Sequence, residues 1–144
     1  MKILNNDGSV VECPADEVTH VVRHSAAHVM AQAIKRLYPE ADFGYGPATE
    51  KGFFYDIDLG DTKLTDDDLA KIEKEMAKIV KENLPIKPFI LPRKEAIKLM
   101  EERGEKYKVE HIGDLDEDAV ISFYQQGEYI DMCVGPHLCY TKAL

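Results

Sequence analysis

Helical and extended patterns alternate along this chain without a regular βαβ rhythm, which predicts an α+β fold. The expected form is a mixed or antiparallel sheet packed with helices, with a cleft beside the long first helix. Two features carry this expectation. Asp16–Tyr38 holds apolar residues at helical spacing, and Thr65 opens a second amphipathic helix. The remaining apolar segments are short and bounded by Gly, Pro, Asn and Asp, as strands are.

Lys2–Leu4 and Ser9–Glu12 flank Asn5-Asn6-Asp7-Gly8, a hairpin turn signal. Residues 1–15 therefore read as a hairpin-like segment ahead of a domain over 16–144. In Asp16–Tyr38 the apolar positions are Val18, Val21, Val22, Ala26, Val29, Ala33, Ile34 and Leu37, and Pro39 marks the end. Gly44-Tyr45-Gly46-Pro47 is a turn, and Gly52–Leu59 a strand. Thr65-Asp66-Asp67-Asp68 resembles a capping box, with three carboxylates at the positive end of the helix dipole. Leu69, Ile72, Met76 and Ile79 form that helix's buried stripe. Lys71, Glu73, Lys74, Glu75 and Lys78 form its solvated face, so it reads as scaffold. Ile86–Leu91, interrupted by Pro88, is an edge strand. Pro92 opens a helix over Arg93–Arg103 that Gly104 ends. Tyr107–Ile112 reads as a strand, and Asp114–Gln126 is open between helix and loop. Glu128–Val134 is a strand that sends Asp131 and Cys133 to one side.

The 144 residues suffice for one domain with a core, and 44% hydrophobic with 31% charged residues is ordinary globular composition. No apolar run approaches the roughly 18 residues of a membrane span, and Met1–Gly8 lacks the long apolar stretch expected of a signal peptide. Three cysteines, Cys13, Cys133 and Cys139, are too few and scattered for a disulfide framework, so a cytoplasmic setting is expected. The net charge of −9 argues against a protein that grips nucleic acid by itself, because phosphate neutralisation needs a basic face.

Two half-motifs carry the chemistry. His24 and His28 stand at i,i+4 and share a helix face. Cys133 and His137, in Asp131-Met132-Cys133-Val134-Gly135-Pro136-His137, come from a Gly-Pro turn. Taken alone, each half is as well explained by core residues. Together they offer three imidazoles and a thiol, a zinc-like ligand set. Ser25 stands where the metalloprotease pattern needs Glu, which leaves that chemistry unsupported. A histidine-assisted Cys133 nucleophile is a further reading. His20 extends the spacing but reads as a peripheral helix residue, His111 as a surface or strand residue, and Cys13 and Cys139 as incidental.

Arg23–Gln32, Gly46-Pro47, Gly52–Asp58, Arg103–Val109 and Tyr129–His137 together resemble the editing domain of bacterial-type threonyl-tRNA synthetase, in register from about Asp16 to the end. The same His and Cys-His pairs occur in the related alanyl-tRNA synthetase editing domain, where the Cys half is richer in Gly and Thr. Two departures stand out. The threonyl branch often carries Arg where this chain has Val134, which touches a tRNA contact more than the chemistry. It also often begins with a ubiquitin-like domain, of which residues 1–15 resemble a remnant. With no aminoacylation motif present, the resemblance implies a domain truncated from a longer synthetase.

That resemblance implies hydrolysis of serine wrongly esterified to threonine tRNA. A missing methyl gives only about 1–3 kcal/mol of discrimination, so a second pocket that admits serine and excludes threonine is needed. His24, His28, Cys133 and His137 would position the ester, the terminal adenosine and a water. Lys108 matches a family lysine implicated in activating or orienting water, although on its residues alone it reads as a solvated strand-end lysine. Asp131 would bind the seryl ammonium or orient a histidine. Tyr55, Gly46 and Pro47 would contact substrate, with Tyr55 read equally well as a core aromatic.

No metal is expected to be required, with zinc binding at His24, His28, Cys133 and His137 left open. The implied partners are the 3′ acceptor end of threonine tRNA, bound weakly by this domain alone, and the catalytic and anticodon-binding domains of the parent enzyme. No membrane partner is implied. The competing readings are a free-standing trans-editing hydrolase of the alanyl type, a noncatalytic relic or binding module within a fusion, and a structural zinc domain.

Overall fold

A computed structural model describes residues 1–44, 52, 53, 55–60 and 62–144. The turn at Gly46 and Pro47 lies outside the described residues, as does Phe54 of the strand expected over Gly52–Leu59. Four helices and three small antiparallel sheets make up the described fold, which is α+β as the sequence predicts. No helix among the described residues is long and apolar enough to cross a membrane.

The first sheet has the order β2-β1-β8, from β1 (Lys2–Leu4), β2 (Val10–Glu12) and β8 (His137–Leu138). The expected hairpin forms, with Gly8 at φ +86°, a conformation open to glycine at little cost. Its first strand then pairs with β8, opposing Leu4 to His137. The N-terminal hairpin is thereby stitched to the second half-motif.

Helix α1 (Val18–Leu37) packs against the second helix and against β8. Ala27, Val29, Ala31, Ala33 and Ile34 are buried, and the alanines let neighbours approach closely. Helix α2 (Asp66–Glu82) packs against it through Ile72 and Ile79. The capping box at Thr65 and Asp68 is present in full. Leu69, expected in the stripe, is instead 54% exposed, while Ile72, Met76, Ile79 and Val80 meet the core. Arg36 of α1 ties the two helices through Glu75 and Glu82, and reaches Glu128 as well.

The short pair β3 (Asp42–Phe43) and β4 (Ile57–Asp58) lies beside a third sheet of β5 (Ile86–Pro92), β6 (Val120–Gln126) and β7 (Tyr129–Met132). β5 is an edge strand, as Pro88 requires. The segment left open between helix and loop contains the central strand β6, and its register sets Phe123 against Met132 and Tyr124 against Asp131. One face of this sheet, with Phe123, meets α3 (Arg93–Glu102) through Ala96 and Met100. The other face sends Tyr124 and Asp131 towards α1, where Tyr124 meets His137 and Asp131 meets His28.

Tyr107–Ile112 corrects the sequence reading. It is helix α4 (Lys106–Gly113), not a strand. Gly104 at φ +71° ends α3 and turns the chain into it. The buried residues Glu105, Lys108 and Ile112 stand three and four apart, which is a helix face. Two of those three are charged, so the face is invisible to a hydrophobic pattern, while Tyr107 and Val109 imitate strand alternation.

Candidate active site

Four elements meet at one cleft. α1 supplies His24 and His28, successive turns apart, with ring centroids 5.2 Å from each other. β7 supplies Asp131 and the segment after it Cys133; both line the cleft, and so do Met132 and Val134, so strand alternation does not sort the lining. β8 supplies His137, which is fully buried behind the cleft lining, its ring 4.1 Å from that of His24 and 4.3 Å from that of His28. α4 supplies Lys108. The cleft has a volume of about 690 Å³, within the usual range for small-molecule sites.

Lys108 is 7% exposed, not the solvated strand-end residue its own neighbours suggest. Its ammonium has three protons and three partners. It donates to the Gly44 carbonyl at 2.8 Å and the Tyr55 hydroxyl at 3.0 Å, and pairs with Asp131 Oδ1 at 3.2 Å. Tyr55 in turn donates to Asp131 Oδ2 at 2.6 Å, and His28 Nε2 lies 3.3 Å from the same oxygen. Tyr55 is thus both a core aromatic, packed edge-on against Phe43, and a hydroxyl contact within the site. Burial would raise the Asp131 carboxyl, but Lys108, His28 and Tyr55 outweigh it and hold the group below its usual range.

The imidazoles are neutral. Burial pushes His28 down to about 4, with Asp131 opposing. Burial also lowers His24, against a hydrogen bond to the Pro136 backbone, and drives His137 well below its ordinary value, helped by His28 and His24. Cys133 is a neutral thiol, raised by burial and by Asp131. Its sulfur lies 3.1 Å from His137 Nε2. A thiol so placed is a poor nucleophile, because the thiolate is the reactive form.

Acidification is therefore expected to destabilise the fold. His28 takes up a proton near 6.5 when unfolded but only near 4 when folded. Between those values the unfolded chain holds more protons, so stability rises with pH across the window and is complete above it. From this residue alone, going from pH 7 to pH 5 removes about 2 kcal/mol. Asp131, held low, adds a loss only further down, as pH falls through its depressed folded value. Thermal melts from pH 7 to pH 4 check this, and a flat profile contradicts a neutral, buried His28.

His24, His28, Cys133 and His137 each present a ligand atom, all within 4.8 Å of one another. Ligand atoms about a tetrahedral zinc at about 2.0–2.3 Å stand roughly 3.3–3.8 Å apart, so the set fits in type and needs a small contraction. His20 is exposed, its ring 6.3 Å from that of His24, and borders the cleft mouth as a peripheral residue. His111 also borders it, exposed on α4.

Three contributors carry no sequence signal. Ser25, noticed only as a departure from the metalloprotease pattern, is fully buried against His137. Tyr124 packs its ring 4.5 Å from that of His137. Asn6, read as a turn residue, accepts hydrogen bonds from Gly135 N–H at 2.8 Å and the Tyr124 hydroxyl at 2.6 Å.

No family model matches the chain. Curated relatives do. The threonine-tRNA ligase of Clostridioides difficile is 60% identical over 126 residues, covering 88% of this chain and 20% of the relative. That of Clostridium acetobutylicum is 62% identical over 117 residues, or 81% of this chain and 18% of the relative. The Clostridium novyi ligase is 49% identical over 144 residues, covering 99% of this chain and 22% of its own length. The chain thus spans about a fifth of the length of the curated relatives it matches. Identity at this level over most of its residues makes the chain a homologue of a domain-sized stretch of threonine-tRNA ligases.

Proposed function

We propose that this chain is an editing domain that hydrolyses the ester of serine misattached to threonine tRNA. The observation that carries the reading is the buried Lys108–Asp131 pair set beside neutral imidazoles in one cleft. A fixed positive charge and a neutral base are what ester hydrolysis uses. Water attacks the carbonyl carbon and its proton passes to an imidazole. The carbon–oxygen bond to the ribose then breaks, and the proton goes to the leaving ribose oxygen. His24 is the base on this reading, since it is the least buried of the three rings. Lys108, whose three protons already have partners, stabilises the oxyanion through its charge rather than by direct donation. Asp131 already engages Lys108, Tyr55 and His28 with its two oxygens, which favours the orienting role over capture of the seryl ammonium. Cys133, backed by the buried His137, forms the wall that a threonine methyl would strike.

The hydrolysis is proposed to need no metal. His28 Nε2 faces Asp131, and His137 Nε2 faces the Cys133 sulfur, so both nitrogens already have partners. If zinc binds, His24, His28, Cys133 and His137 are the residues that would hold it, and a catalytic role would require one of the four to yield its position to a water of lowered pKa. The acidic charge fits a domain that meets only the single-stranded acceptor end, with other domains of the parent ligase gripping the tRNA body.

Deacylation of seryl and threonyl esters, both on threonine tRNA, tests this. The chain itself is compared with a chimeric threonine-tRNA ligase carrying it in place of the homologous stretch. Chelator-resistant loss of serine, with threonine spared and His24→Ala slowed roughly 100-fold or more, is expected. Chelator-sensitive hydrolysis overturns the metal-free part. No serine release by the folded chimera overturns the assignment.

A further inference from the structure

The hydroxyl of Ser25 is fully buried and joins the two half-motifs across more than a hundred residues of sequence. It accepts the Leu138 backbone N–H at 3.0 Å, and lies 3.0 Å from His137 Nδ1. Leu138 has therefore filled one acceptor direction of the oxygen. The hydroxyl proton remains to be placed, and among the described residues the recorded acceptor is Nδ1. A neutral imidazole that accepts at Nδ1 carries its proton on Nε2. Nε2 is the nitrogen 3.1 Å from the Cys133 sulfur.

We propose that Ser25 is a positioning residue that fixes His137 in the Nε2–H tautomer, so that the ring donates to the Cys133 sulfur. The Cys133 thiol proton is then free to point into the cleft rather than being spent on His137. In the other tautomer Nδ1–H would donate to Ser25, Nε2 would accept the thiol proton, and the cleft would lose that donor. The consequence for hydrolysis rests on the editing function proposed above; the tautomer does not.

Nitrogen-15 NMR of the histidine rings in the 144-residue chain, at neutral pH with chelator, separates the cases. Long-range proton–nitrogen correlations that place the His137 proton on Nε2 are expected. Finding it on Nδ1 in the unaltered chain overturns the proposal, whatever any variant does. Ser25→Ala should lose the fixed tautomer and give mixed or exchanging ring signals, and Ser25→Thr, which keeps the hydroxyl, should restore it. A folded Ser25→Ala chain with an unchanged Nε2–H signal would show a merely structural role and overturn the assignment. In the chimeric ligase, Ser25→Ala is expected to lower kcat for the seryl ester roughly 10- to 100-fold with KM little changed, as for other groups that orient a functional histidine. An unaltered chimera that releases no serine would refute the editing reading while leaving the tautomer result standing.

Discussion

Lys108→Met is expected to cost roughly 3–5 kcal/mol of stability, because it strands the Asp131 carboxylate without its cation. Asp131 is 3% exposed, and Lys108 and His28 are the charged or chargeable partners that face its oxygens. Tyr55 and His28 cannot replace the ammonium. Tyr55 is held in its neutral form by burial and by Asp131, and His28 is held neutral by burial. Denaturant melts of the variant measure the loss. If editing is the function, serine hydrolysis should also fall, by roughly 100- to 1,000-fold, the scale of losing electrostatic stabilisation of an oxyanion. Lys108→Met combined with Asp131→Leu should cost less than the two single changes summed, since it removes the charge along with its partner. A Lys108→Met chain as stable as the parent would contradict the pairing.

Gly135→Ala is expected to displace the segment that carries Cys133 and His137. A methyl there would land on the Tyr124 hydroxyl, with the Tyr124 ring carbon at 2.7 Å and Asn6 Oδ1 at 3.1 Å. Neither neighbour can give way easily. Tyr124 is 1% exposed and held between strands, and Asn6 is bound to both Gly135 and Tyr124. Overpacking of this kind costs about 1–3 kcal/mol. The larger effect should be on the site, because His137 follows two residues later and its ring must meet Ser25, Cys133 and both helix histidines. If editing is the function, serine hydrolysis lost in a chain whose melting point falls only a few degrees would match this expectation. An unchanged rate and melting point would show that the segment has room the structure denies it.

Sequence and structure agree wherever local physics decides. The i,i+4 spacing puts His24 and His28 on one face of α1, and Thr65 with Asp68 forms the capping box of α2. Pro88 confines its strand to an edge, and Asn5–Gly8 turns a hairpin. Each depends on residues within a turn or two of one another. The resemblance added Lys108 and Tyr55, whose own neighbourhoods argue for a solvated lysine and an ordinary core aromatic.

What the tertiary structure alone decided is the polar interior. α4 hides its periodicity because its buried face carries Glu105 and Lys108, and burial of a charge is settled by a partner elsewhere in the chain. Lys35 is that partner for Glu105, and Asp131 for Lys108. Ser25 gained its place by meeting His137, and Asn6 by meeting Gly135. The sequence by itself determined which side chains stand on which face of each element. Only packing determined which of them lose their water, and those are the groups whose protonation and geometry the site depends on.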